Sequence, residues 1–125
     1  VKAHYTEEEV HAKLSNITEK FTLYKGDSKH QHDNYINLHG INSADLVFID
    51  GGHSVETIKA DLEFAKKIIK ENCPIILDDY YEGMPEEELA KFGCQGILDG
   101  TPHQILPIKD NVMGGGSVQM AVVSG

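Results

Sequence analysis

Three aspartates stand where two short apolar runs end. Residues 44–53 read Ala-Asp-Leu-Val-Phe-Ile-Asp-Gly-Gly-His, and residues 74–81 read Pro-Ile-Ile-Leu-Asp-Asp-Tyr-Tyr. Neither run alternates strictly between apolar and polar residues, which is the pattern of strands buried on both faces of a parallel sheet. Each strand is expected to stop at its carboxylates. In open α/β sheets ligands bind beyond the carboxyl ends of the strands, so Asp50, Asp78 and Asp79 lie where a metal ion or a polar ligand would be held. The alternative for any one of them alone is a turn or helix-capping role.

The elements that must position these acids follow from spacing. Ser54 is a helix N-cap, and Val55, Ile58, Leu62, Ala65 and Ile69 recur at intervals of three and four, so a helix crosses over between the two acidic strands. Upstream, Thr6 followed by Glu7, Glu8 and Glu9 predicts a capped helix over residues 7–16, with Val10, Leu14 and Ile17 as its apolar stripe. Residues 21–25 read as a strand closed by the turn Gly26-Asp27-Ser28, and the polar stretch 29–42 as turn-rich, with room for a short helix. Its two histidines, His30 and His32, read as solvated imidazoles. Pro85 before Glu86, Glu87 and Glu88 opens another short helix. The runs 103–108 and 118–123 flank a turn-rich segment, which predicts a terminal antiparallel hairpin with Gly114, Gly115 and Gly116 at its tip. No repeat or linker interrupts the chain, so residues 1–125 are read as one α/β domain.

Composition narrows the partners. Eleven Lys and Arg against twenty Asp and Glu give a net charge of −9, which argues against nucleic acid and favours metal ions or small molecules. Cys73 and Cys94 have neither metal-ligand nor redox spacing and are read as free thiols in a reducing compartment. No apolar stretch approaches the roughly 20 residues needed to span a bilayer, and the first residues lack the layout of a signal peptide. A cytoplasmic location without membrane contact is expected.

Three pieces of the chain resemble the class I S-adenosylmethionine-dependent methyltransferases, particularly the metal-dependent O-methyltransferases of macrolide sugars and catechols. They are Gly26-Asp27-Ser28 after a strand, Phe48-Ile49-Asp50-Gly51-Gly52-His53-Ser54, and Ile76-Leu77-Asp78-Asp79-Tyr80. The resemblance implies a partial Rossmann-like methyltransferase sheet, mostly parallel, with a C-terminal antiparallel hairpin. It implies S-adenosylmethionine as cofactor, and it places a divalent metal, magnesium, on Asp50, Asp78 and Asp79. Crowded carboxylates repel one another unless a cation neutralises them, and hard oxygen ligands suit such an ion. His53 matches a general base, a role for which imidazole is suited near neutral pH. Asp27 and Ser28 match the loop that meets the adenine ring, Asp50 also faces the cofactor, and Tyr80 and Tyr81 fall in the pocket of a small-molecule acceptor.

The chain departs from the family pattern in lacking the glycine-rich strand and turn that approach the cofactor upstream of residue 21. On the sequence alone it is therefore expected to be the C-terminal part of such a domain, with little activity by itself and with sheet edges open to pairing with a second copy. Two other readings stand beside this one: a divalent-metal-binding, hydroxylase-like α/β domain, and a non-catalytic interaction module on a methyltransferase scaffold.

Overall fold

A computed structural model describes residues 6–24, 26–111 and 117–125. Helix α1 (Glu7–Ser15) starts where Thr6 accepts a hydrogen bond from the Glu9 amide at 3.2 Å. The expected stripe is not buried, however. Val10 and Leu14 are only half-buried, and Ile17, beyond the helix, is 80% exposed. Residues 21–24 form no strand. A ladder needs a neighbouring strand to accept its hydrogen bonds, and here Phe21 instead meets the edge of the His11 ring at 5.3 Å.

The polar stretch that follows is helix α2 (Ser28–His39), twelve residues long. Asp27 caps it by accepting from the Lys29 amide at 3.1 Å, and Gly40, at φ 84°, ends it in a conformation that glycine adopts without strain. Strand β1 (Val47–Ile49) leads through a loop to helix α3 (Val55–Ile68), whose buried face is Ile58, Leu62, Ala65 and Ile68. Ser54 caps α3 through the Thr57 amide at 3.3 Å. Strand β2 (Pro74–Glu82) follows, then two four-residue helices, α4 (Glu86–Leu89) and α5 (Gln95–Leu98). Strands β3 (Gln104–Asn111) and β4 (Ser117–Ser124) complete the chain as the expected hairpin. Its glycine tip at 114–116 lies outside the described residues.

The sheet order is β1-β2-β4-β3. β1 pairs parallel with β2, whereas β4 runs antiparallel to both β2 and β3. Three of the four strands thus point the same way, and the hairpin supplies the reversal. The sheet is mixed, with one parallel and two antiparallel pairings, where a mostly parallel one was expected. β1 lies at the sheet edge, with Leu46 57% and Phe48 49% exposed. Among the described residues no helix is long and apolar enough to cross a membrane.

The core joins α3 to one face of the sheet. Ile75 pairs with Val123 and Leu77 with Ala121, and these four pack with Ile58, Leu62, Cys94 and Leu98. Leu77 is fully buried. Leu77→Ala is expected to cost about 3 kcal/mol, read as a shift of the denaturant midpoint, because a cavity opens directly beneath the acidic residues.

Candidate active site

The central finding at β2 is a bulge. Leu77 pairs with Ala121 and Tyr80 with Gln119, so Asp78 and Asp79 together oppose the single residue Met120. The strand was expected to stop at its carboxylates; instead it passes through them, and the extra residue locally breaks the ladder and re-aims the chain. Asp79 takes a left-handed φ of 65°, one of three non-glycine residues among those described to do so. Backbone strain of this kind gathers at functional sites.

The bulge brings the three expected acids together. One carboxylate oxygen from each of Asp50, Asp78 and Asp79 lies within 4.8 Å of the others. Asp50 follows β1 directly and is exposed, Asp78 is half-buried, and Asp79 is only 5% exposed. Partial burial, a hydrogen bond with Asp78 and the charges of Asp78 and Asp79 raise the Asp50 carboxyl from 3.8 to about 6. The folded chain therefore keeps a proton at pH values where the unfolded chain has released it. The sign follows: this contribution to stability is complete below 3.8 and is lost as the pH rises through about 6. The melting temperature measured in chelator is expected to carry a falling component across that window, and Asp50→Asn is expected to remove it. A cation at the cluster would favour the ionised acids and reverse the penalty.

His53 stands beside the cluster. Its Nδ1 lies 2.9 Å from Asp79 Oδ2, while 63% of its side chain is exposed. The Tyr81 hydroxyl donates to Asp79 Oδ1 at 3.0 Å. Burial first, and then Asp79, push the Tyr81 phenol far up, so it remains protonated and donates. Tyr81, placed by its sequence in an acceptor pocket, thus sits within the acidic cluster.

A short backbone clip fixes the distance between the His53 loop and the bulge. Gly93 N–H donates to the His53 carbonyl at 2.9 Å, and the next amide, of Cys94, donates to the Asp79 carbonyl at 3.0 Å. Val55 N–H reaches the Lys91 carbonyl at 3.0 Å, which ties the start of α3 to the same segment. Burial, and then Asp79, push the Cys94 thiol up to about 12, so it offers no thiolate at neutral pH. Cys73 is likewise free.

On the other side of Asp50 opens a cavity of about 450 Å³ bounded by α2, α3 and β1, with Tyr24, Gly26, Ser28, Phe48, Asp50 and Asp61 in its wall. Ser28 donates to Asp61 Oδ1 at 2.7 Å, so this hydroxyl bridges α2 to α3, and the Asp27 carboxylate caps α2. His32 is not a solvated imidazole. It stacks on Phe64 at 4.1 Å with ring planes 4° apart, and its Nε2 lies 3.3 Å from Asp61 Oδ1. The Tyr24 hydroxyl is buried without a hydrogen-bond partner. An unsatisfied buried hydroxyl in a cavity wall fits a polar ligand.

Asp61 and Gly93 escaped the sequence reading. Asp61 left a signal, since it falls within the apolar stripe of Ile58, Leu62 and Ala65 on α3, and an acid on a buried helical face needs a partner. Gly93 left none beyond its residue type.

Fold and site together define an α/β domain with an acidic, histidine-bearing site between the end of β1 and the bulge of β2, beside an open cavity. The model of a family described as a methyltransferase domain matches residues 2–80, more than half of the chain, and the chain belongs to that family. The matched stretch contains Asp27, Ser28, Asp50, His53, Asp78 and Asp79. No curated protein and no solved structure gives a match.

Proposed function

We propose that this methyltransferase domain moves a methyl group from S-adenosylmethionine to a hydroxyl oxygen of a small molecule, with a divalent cation, magnesium, at the acidic cluster. The observation that carries the reading is the position of Asp50, which belongs both to the cavity wall and to the three-carboxylate cluster. A donor seated in the cavity and an acceptor beside the carboxylates would therefore meet at this residue.

Tyr24, Ser28 and Asp50 are the polar groups that would hold the donor, and the cavity volume suits a ligand of that class. The donor supplies an electrophilic methyl on a sulfonium, and a bound divalent cation would lower the pKa of a coordinated hydroxyl. The oxygen-only donor set of Asp50, Asp78 and Asp79 fits a hard cation, and such an ion would relieve the repulsion that, after burial and the Asp78 hydrogen bond, helps to raise the Asp50 carboxyl. His53 offers Nε2 toward solvent, where it would take the acceptor's proton as the carbon–oxygen bond forms.

The test is incubation of the chain with methyl-labelled S-adenosylmethionine and magnesium against catechols, sugars and simple alcohols, with thiols and amines as controls. Label transfer to hydroxyl acceptors that chelator suppresses supports the reading. Transfer to thiols or amines alone, or transfer indifferent to chelator, contradicts it.

A further inference from the structure

We infer that Asp79, besides its place in the acidic cluster, is the carboxylate that orients His53, and that Tyr81 is the positioning residue that holds Asp79 in that task. This inference rests on the proposed function for the task of His53, but the orientation itself stands on geometry alone.

The two oxygens of Asp79 are both engaged. Oδ2 faces His53 Nδ1 at 2.9 Å and Oδ1 accepts from Tyr81 at 3.0 Å, in a side chain that is 7% exposed. Donors on both oxygens fix the rotation of a carboxylate, and a carboxylate facing Nδ1 selects the tautomer that carries its proton there. Nε2 is then the lone-pair nitrogen, on the exposed side of the ring.

A second observation, independent of the side chains, points the same way. The consecutive amides of Gly93 and Cys94 bind the carbonyls of His53 and Asp79, so the backbones of the two residues are held in register with each other by one rigid step of chain. A Cβ on Gly93 would stand 2.7 Å from Tyr81 Cδ2. The Tyr81 ring is thus seated directly on the clip, and its hydroxyl is delivered to Asp79 by the same segment that delivers His53.

The experiment compares the full chain with Asp79→Asn and Tyr81→Phe, and the His53 Nδ1 proton, assigned through His53→Gln, is followed by nitrogen-edited NMR. Asp79→Asn and Tyr81→Phe are both expected to move the Nδ1 proton upfield or into fast exchange as its acceptor becomes neutral or loses its anchor. Tyr81→Phe keeps the ring on Gly93 and decides the matter should Asp79→Asn fail to fold. An Nδ1 proton unmoved by Asp79→Asn overturns the orienting role of Asp79, and one unmoved by Tyr81→Phe overturns the role of Tyr81. Failure of the chain to transfer methyl groups would overturn the proposed function and leave this readout intact, because the His53 proton is observed without donor, acceptor or metal.

Discussion

Gly93→Val is expected to lower the melting temperature by about 10 °C, with the His53 loop released from the bulge of β2. At φ 88° this residue occupies the left-handed region, where any L side chain costs roughly 1–2 kcal/mol. The larger effect is steric. A Cβ would lie 2.7 Å from Tyr81 Cδ2 and 2.8 Å from both the Asp79 carbonyl oxygen and Gln95 Oε1. The Asp79 oxygen is backbone, already bonded to the Cys94 amide, and cannot withdraw without opening the bulge. Together the two terms come to about 3 kcal/mol, among the larger costs of a single substitution. Calorimetry on the purified variant checks the stability, and a shift below about 2 °C would mean that the clip yields without cost.

His53→Ala is expected to behave in the opposite way, leaving stability nearly unchanged while lowering methyl transfer by about 10²- to 10⁴-fold, the usual contribution of a general base. The side chain is 63% exposed and, among the described residues, hydrogen-bonds to Asp79, so little packing is lost. Removal leaves Asp79 with the Tyr81 hydroxyl as its side-chain donor. The check is the initial rate with whichever hydroxyl acceptor the unmodified chain methylates, alongside its affinity for S-adenosylhomocysteine. A rate within about 3-fold of the unmodified chain, at unchanged affinity, would remove His53 from the chemistry.

The acids and their crossover helix were legible because two strong local signals coincide there. Apolar runs leading into Asp50 and into Asp78-Asp79 mark the two strands, although β2 runs on past its acids to Glu82, and the periodic stripe of α3 after the Ser54 cap marks the element between them. The terminal hairpin was legible from two runs, 103–108 and 118–123, that flank a turn-rich segment. What the sequence concealed is tertiary in origin. Nothing local announces the β2 bulge, because it arises from the register that β4 imposes at Ala121 and Gln119. The polar, turn-rich stretch 29–42 promises no more than a short helix, because the contacts that stabilise α2, the His32 stack on Phe64 and the Ser28 bond to Asp61, come from a helix some thirty residues away. The error over residues 21–24 has the converse cause, since strand propensity without a neighbouring strand does not make a ladder. Tyr81 and Gly93 acquire their roles only once the bulge and the clip are in place.

The proposed methyl-donor site is tested most directly by calorimetric titration of the chain with S-adenosylhomocysteine, with and without magnesium, on the unmodified protein and on Asp50→Asn. Saturable binding that magnesium strengthens, and that Asp50→Asn weakens by about 10-fold or more, is the predicted result, because Asp50 is shared by cavity and cluster. A flat trace for the unmodified chain, or binding that neither magnesium nor the substitution alters, would contradict it.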